Sequence, residues 1–282
     1  MNSSNMGKMA TASEGLSVLI SVYHKTNAEY LHKALLSVWD EQSYQPSEIV
    51  LVQDGPVGAS ITKKIEEWQE RLGKQFKWVK QEKNLGLARS LNHGLSYCSN
   101  ELVARMDDDD ISLPHRFDLQ YRYMMNHKNV GVLGGQIEER DSNLQTKISQ
   151  RIVPVNHLQI VKFSKSRSPI NHPSVMFRKS IIYKLGGYPE VYPEDYALWG
   201  KLICHGVIFH NLPQKLVVMR TEDALIYRRG FRFFLGETKV LFYLYRLGLL
   251  NFFDLSMQIA IRFFVRSSPA LLKKKLYKIS RK

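Results

Sequence analysis

LSVLISVY at residues 16–23, TNAE at 26–29 and EIVLVQ at 48–53 decide the fold. The first and third are apolar, β-branched runs of strand length, and continuous apolarity is what a strand covered on both faces shows. Thr26 lies three residues ahead of Glu29, the spacing of a capping box, so a helix is expected to begin there. Its apolar residues Leu31, Ala34, Leu35, Val38 and Trp39 recur at steps of three and four, giving one stripe to lay on a sheet. The unit reads strand, helix, strand, the crossover that makes the two strands parallel.

Working outward, the pattern repeats. A polar helix at 60–72, a strand at 76–80, a helix at about 87–97 and a strand at 102–106 follow, the last ending in Asp107, Asp108, Asp109 and Asp110. The alternation predicts an α/β protein with a doubly wound, mainly parallel sheet. Ligands of such sheets bind at the carboxyl ends of strands, so Tyr23, Asp54 and the four acids are expected to converge on one crevice. Beyond Pro114 come a helix to about 126, a strand at 130–139 and a hairpin through Asp141, Ser142 and Asn143, and the alternation stops. A turn at 185–189, a helix at about 194–204 and a strand running up to Arg220 are expected to complete the sheet and add a second ligand surface.

The chain has 282 residues, room for one large domain with an appendage. With 44% hydrophobic, 23% charged and 11% aromatic residues it is neither collagen-like, coiled-coil nor disordered. The net charge is +14, and residues 231–282, with 11 basic and 2 acidic residues, carry +9 of it. The excess sits in an apolar context without a zinc-finger or RNP signature, so no nucleic-acid partner is expected. Only Cys98 and Cys204 occur, in no metal or disulfide spacing, which fits a reducing, cytoplasmic setting. Residues 1–15 are polar, without a signal peptide's apolar core, and are expected to be flexible. No run approaches the roughly 18 apolar residues of a spanning helix, so neither export nor a bilayer crossing is expected.

The tail from 231 is ordered in its polarity. Arg232, Lys239 and Arg246 follow a seven-residue step; Asp254, Gln258, Arg262 and Arg266 follow a four-residue step; Phe, Leu, Ile and Tyr surround both. Two amphipathic helices are expected, lying on an anionic membrane surface with their basic stripes and the cluster Lys273, Lys274, Lys275, Lys278, Arg281 and Lys282 toward the headgroups. The competing reading packs both helices on the catalytic body, since packing requires amphipathicity too.

The acidic run carries the chemistry. Hard divalent cations such as Mg²⁺ or Mn²⁺ take carboxylate oxygens, and alternate residues at a strand end, Asp107 and Asp109, point together. The bland alternative is a solvated loop ahead of a helix. Asp54, in Val52-Gln53-Asp54-Gly55, stands at a neighbouring strand end, able to accept hydrogen bonds from a base or ribose or simply to make an Asp-Gly turn. Asn84-Leu85-Gly86-Leu87-Ala88-Arg89 lacks a phosphate-loop Gly-Lys-Ser/Thr, so a metal and nearby cations would have to neutralise any diphosphate.

In these pieces the chain resembles the family 2 glycosyltransferases of bacterial surface-polysaccharide synthesis, of O-antigen and exopolysaccharide type. The likeness runs through Ser21-Val22-Tyr23, Val52-Gln53-Asp54-Gly55, Asn84-Leu85-Gly86-Leu87, Arg105-Met106-Asp107-Asp108-Asp109-Asp110-Ile111-Ser112-Leu113-Pro114, Asn171-His172-Pro173-Ser174, Gly186-Gly187-Tyr188 and Glu194-Asp195-Tyr196-Ala197-Leu198-Trp199. The resemblance implies a GT-A fold over residues 16–230, with 16–113 holding the nucleotide and 114–230 the acceptor, and a basic helical tail at 231–282. It implies inverting transfer from a nucleotide-sugar, usually a UDP-sugar, to a hydroxyl of a lipid-linked saccharide, by an enzyme peripheral on the inner face of the cell membrane. Val22, Tyr23, Asp54, Asn84, Arg89, Asp107 and Asp108 then fall at donor-binding positions, Asp107 and Asp109 at the metal motif and Asp195 at the catalytic base. Gln53 departs from a commonly acidic position, and the four-acid run leaves the metal register open by one place. His172, Glu194, Arg220, Arg228 and Arg229 are further candidates for acceptor or phosphate contacts. A non-catalytic, membrane-associated scaffold on a transferase-like fold is the alternative.

Overall fold

The computed structural model describes residues 13–221 and 231–267. Arg228, Arg229 and the polybasic end beyond 267 lie outside the described residues, as do the first twelve.

A sheet of nine strands forms the centre, ordered β3-β2-β1-β4-β8-β6-β9-β5 with β7 paired to β6. Its first part is the expected repeat: β1 (Ser13–Val22), α1 (Ala28–Trp39), β2 (Glu48–Gln53), α2 (Ala59–Leu72), β3 (Phe76–Lys80), α3 (Leu87–Tyr97) and β4 (Asn100–Met106). β1 pairs parallel with both β2 and β4, and β2 with β3. β1 begins at Ser13, so residues 13–15, expected to be flexible, open this strand beside Asn100. Along β1, Leu16, Val18, Ile20 and Val22 pack into the core on one face, with Leu31, Leu35 and Val38 of α1. Leu19 points the other way and meets Leu91 and Leu95 of α3. Burial on both faces explains the unbroken apolar runs; each fully buried Leu, Ile or Val stabilises by about 1.5–3 kcal/mol.

The second part is mixed rather than parallel. β5 (Ile111–Ser112), α4 (Arg116–Asn126), β6 (Val130–Arg140), β7 (Lys147–Arg151), α5 (His157–Ser164), β8 (Met176–Arg178), α6 (Lys179–Lys184), α7 (Glu194–Cys204) and β9 (Ile208–Arg220) follow in order. β8 runs antiparallel to both β4 and β6, joining the halves into one sheet, while β6 and β9 are parallel. The hairpin at Asp141 to Asn143 joins β6 to β7. Under the junction Arg116 is fully buried, its guanidinium donating to the Arg105 carbonyl (2.7 Å) and to Gln120 (3.1 Å), and burial pulls it down to about 9.

Two expectations need correction. The N-cap of α1 is Asn27, whose side chain accepts from the Glu29 and Tyr30 amides. Thr26 is drawn elsewhere: its hydroxyl accepts from Tyr23 N (3.0 Å) and donates to Asp108, so no capping box forms. The second correction concerns α8 (Phe231–Arg246) and α9 (Phe252–Ser267). They form a core with α7 through Tyr196, Ala197, Val240, Leu241, Leu244, Leu249 and Leu255. The polar stripe of α9 faces this body instead of headgroups. Arg266, 9% exposed, pairs with Glu237 at 2.9 Å, Arg262 donates to Gln258 and to the Ser166 carbonyl, and Asp254 pairs with Lys165. The apolar side is outward, with Phe253 83%, Phe264 70% and Phe252 66% exposed.

Candidate active site

The ends of β1, β2 and β4 are stitched together by short-range bonds. Val22 keeps its side chain in the core, and its carbonyl accepts from Asp54 N (2.8 Å). Tyr23, the next residue, is exposed with its ring edge-on to His24. Asp54 is buried, and its two carboxylate oxygens accept from Leu85 N (2.6 Å) and Gly86 N (3.0 Å). Asn84 is exposed and donates to the Asp54 carbonyl at 3.2 Å. Gly55 makes this possible: its φ is +80°, and a Cβ there would stand 2.5 Å from Asn84 N. Asp54 thus fixes the 84–86 loop at the mouth of the crevice, a task that the sequence reading did not assign to it. Arg89, farther along α3, reaches across to Glu190 at 2.8 Å, both groups well exposed.

The four acids leave β4 in one irregular turn, and three of them are engaged. Asp107 is gripped by the buried guanidinium of Arg105, Asp108 accepts from Thr26, and Asp110 accepts from Arg220 N at 2.9 Å. Asp109 has no side-chain partner among the described residues. Burial, then the charges of Asp107 and Asp108, push it up to about 7. Burial likewise raises Asp108 to about 6 despite the Thr26 bond. Arg220 braces the run from β9, donating to the Asp109 carbonyl (2.7 Å) and lying 3.9 Å over the Tyr30 ring.

From the second half, α7 brings Glu194 and Asp195 in its first turn. Both are half-buried. Asp195 accepts from the Ser168 hydroxyl at 3.1 Å, and burial raises it above the ordinary aspartate range. Burial and the neighbouring Asp195 lift Glu194 to about 7. His172 is buried against Tyr188 and Trp199, with Nε2 3.1 Å from the Tyr188 hydroxyl, and burial holds it neutral. Trp199 is core, as its place one turn beyond Asp195 implies.

Arg105 joins the two groups. Its charge acts on Asp107 to Asp110 on one side and on His172, Glu194 and Asp195 on the other. Sequence reading missed it as a site residue, although a lone arginine inside the apolar run LVARM was a signal. Asn92 and Ser168 were missed as well. Asn92 holds the 187–188 turn by two bonds, accepting from Tyr188 N (2.7 Å) and donating to its carbonyl (2.9 Å), and Gly187 with φ +71° leaves the space that a Cβ would take from it. An asparagine on an otherwise ordinary helix face gave no sign of that role.

The residues suit a divalent cation in donor chemistry. A buried carboxylate cluster presents hard oxygens, and Asp110 Oδ2 is buried without a hydrogen-bond partner among the described residues; Arg105 Nε and Arg220 Nη2, likewise unpartnered there, are donors that suit phosphate oxygens rather than a cation. Among those residues no three His, Cys, Asp or Glu side chains gather as a complete site. Mg²⁺ asks less of the protein, since it takes one or two carboxylates and completes its shell with phosphates and water.

A mixed sheet of this topology, with an acidic strand end facing a helix that starts with two acids, is the GT-A glycosyltransferase fold. The match to a mannosyltransferase from Pyrobaculum calidifontis, solved with GDP-Man and Mn²⁺, has a TM-score of 0.63 at 17% identity over 95% of this chain and 82% of that one. Residues 17–186 match the model of glycosyl transferase family 2, and the chain belongs to that family. Among its relatives is the Escherichia coli UDP-Gal:alpha-D-GlcNAc-diphosphoundecaprenol beta-1,3-galactosyltransferase, 36% identical over 93% of this chain and 94% of that protein. The amylovoran biosynthesis glycosyltransferase AmsE of Erwinia amylovora is 36% identical over 94% and 99%.

Proposed function

We propose that the chain moves a sugar from a UDP-sugar to a hydroxyl of a lipid-linked saccharide in surface-polysaccharide synthesis, inverting the anomeric centre. The observation that supports this reading most is the pair of acidic sites: Asp107 gripped by the buried Arg105 beside Asp109 at the end of β4, and Asp195, hydrogen-bonded by Ser168, in the first turn of α7. Two relatives support the substrates: one is named for UDP-Gal and a diphosphoundecaprenol-linked sugar, the other for amylovoran biosynthesis.

In this reading Tyr23 and the loop held by Asp54 and Asn84 receive the nucleoside. Asp109, with Asp107 held by Arg105, would hold Mg²⁺ or Mn²⁺, and Asp108 steadies the run through Thr26. When bound, such an ion neutralises charge gathering on the departing diphosphate. Arg105 and Arg220 contribute fixed positive charge at the same place, at no cost in reorganisation. Asp195, raised by burial yet still hydrogen-bonded by Ser168, takes the proton of the acceptor hydroxyl as its oxygen attacks the anomeric carbon. One base and one leaving group suffice for a single displacement, which inverts; a glycosidase needs two carboxyl groups flanking the bond. His172, held neutral against Tyr188, orients the α7 entrance, and Glu194 lines it.

The outward apolar face of α9 supports peripheral attachment to a membrane. No helix among the described residues is long and apolar enough to cross a bilayer. Exposed Phe252, Phe253 and Phe264 suit insertion at the interface, and the basic residues of α9 serve the protein's interior.

The test is release of UDP from a panel of UDP-sugars by the full chain, with and without excess EDTA. One donor should turn over, and EDTA or Asp109→Asn should lower the rate by at least ~10²-fold. Undiminished turnover in EDTA removes the metal from the reading; no turnover of any donor removes the transferase.

A further inference from the structure

A groove of ≈ 640 Å³ runs between α8 and the loop that precedes α7. Leu235, Phe242 and Tyr243 line it from α8, and Tyr192 faces them from the loop. Residues 190–192 also wall a second hollow of ≈ 260 Å³, whose other lining residues include Gly86, Arg89 and Glu194. The groove and this hollow therefore share a wall, and the hollow lies beside Glu194, on the α7 side where the acceptor hydroxyl must lie.

Its charge is as informative as its shape. Lys239 and Arg246 both line the groove, seven residues and about 10 Å apart along one face of α8. Neither has an ion-pair partner among the described residues. The groove's one acid, Glu190, is matched by Arg89 at 2.8 Å. Two uncompensated cations thus stand in a wall of exposed aromatic and aliphatic surface. Such a surface complements a molecule with an anionic head attached directly to hydrocarbon. A nucleotide lacks the hydrocarbon, and the donor's diphosphate belongs at Asp109.

We infer that this groove binds the diphosphate and first hydrocarbon units of a polyprenyl-diphosphate-linked acceptor. Lys239 and Arg246 hold the phosphates, Phe242, Tyr243 and Tyr192 receive the chain, and the sugar projects past Glu194 toward Asp195. The inference rests on the transferase reading above and adds the site by which the acceptor's lipid part is recognised.

The experiment titrates farnesyl diphosphate, which carries no sugar, into the full chain saturated with UDP and Mg²⁺, following heat or intrinsic fluorescence. Binding is expected to persist under saturating UDP. Lys239→Ala with Arg246→Ala should weaken it at least tenfold, as should Phe242→Ala, which tests the hydrocarbon wall independently. Farnesol and inorganic diphosphate should each bind at least tenfold more weakly than farnesyl diphosphate. UDP affinity and UDP-sugar hydrolysis report whether each variant keeps its fold and donor site, and both should match the unaltered chain. Equal farnesyl diphosphate affinity in the variants, displacement of farnesyl diphosphate by UDP, or equally tight farnesol binding would overturn the groove assignment. A chain that hydrolyses UDP-sugars but fails these tests contradicts the groove alone; one that turns over no donor contradicts the transferase reading itself.

Discussion

Ser168 donates to Asp195, and that bond favours the charged carboxylate against the burial that raises it. The proposed base must be deprotonated to act, so activity should fall as pH drops through the Asp195 titration, and burial should set the acid limb of kcat above the ordinary aspartate range. Ser168→Ala removes a stabiliser of the charged form and should move that limb upward by about one pH unit, read from a pH–rate profile. An unmoved limb would contradict the role given to Ser168. Asp195 was proposed as the base through the family resemblance at Glu194-Asp195-Tyr196. Ser168 was not, because 27 residues separate it from Asp195 and no local period links them. Arg105 was hidden for a related reason: it lies inside an apolar strand, where only the fold reveals that its guanidinium turns toward Asp107 and the start of α7.

The strand and helix order of the first half could be read closely, because buried strands and a one-sided helix leave different periods in the sequence. Thr26 shows where such reading stops: the capping box expected there does not form, because Asp108, 82 residues away, takes the Thr26 hydroxyl, and Asn27 caps α1. The stripes of α8 and α9 pose the same problem at larger scale. Periodicity located the polar stripe of α9 but carried no information on which side meets the protein; Glu237, on α8, decides it by pairing with Arg266. Glu237→Ala removes the carboxylate that Arg262 and Arg266, both at most 11% exposed, share. The expected loss is about 3 kcal/mol, or roughly 6–10 °C in Tm, measured by thermal melting. A Tm unchanged within 1–2 °C, on that same scale, would show that the pair does not anchor the helices.

For the whole molecule, the outward Phe252, Phe253 and Phe264 change what membrane attachment should look like. If headgroup charge alone held the chain, salt would release it. With apolar insertion by α9, part of the binding to anionic vesicles should survive high salt, and Phe253→Ser with Phe264→Ser should abolish that part in a flotation assay without lowering UDP affinity. Equal high-salt flotation of the variant and the unaltered chain would contradict that account. Attachment would hold the proposed active site near a lipid-linked acceptor, while the pairing of β4 with β8 joins the two halves of the sheet beside Arg105. The central claim is that this junction forms a single transfer site with Asp195 as its base. It is tested most directly by measuring UDP affinity and transfer to a diphospholipid-linked saccharide for the unaltered chain and for Asp195→Asn. The account predicts UDP affinity unchanged within twofold and transfer lowered by about 10²- to 10⁴-fold; near-normal transfer by Asp195→Asn would contradict it.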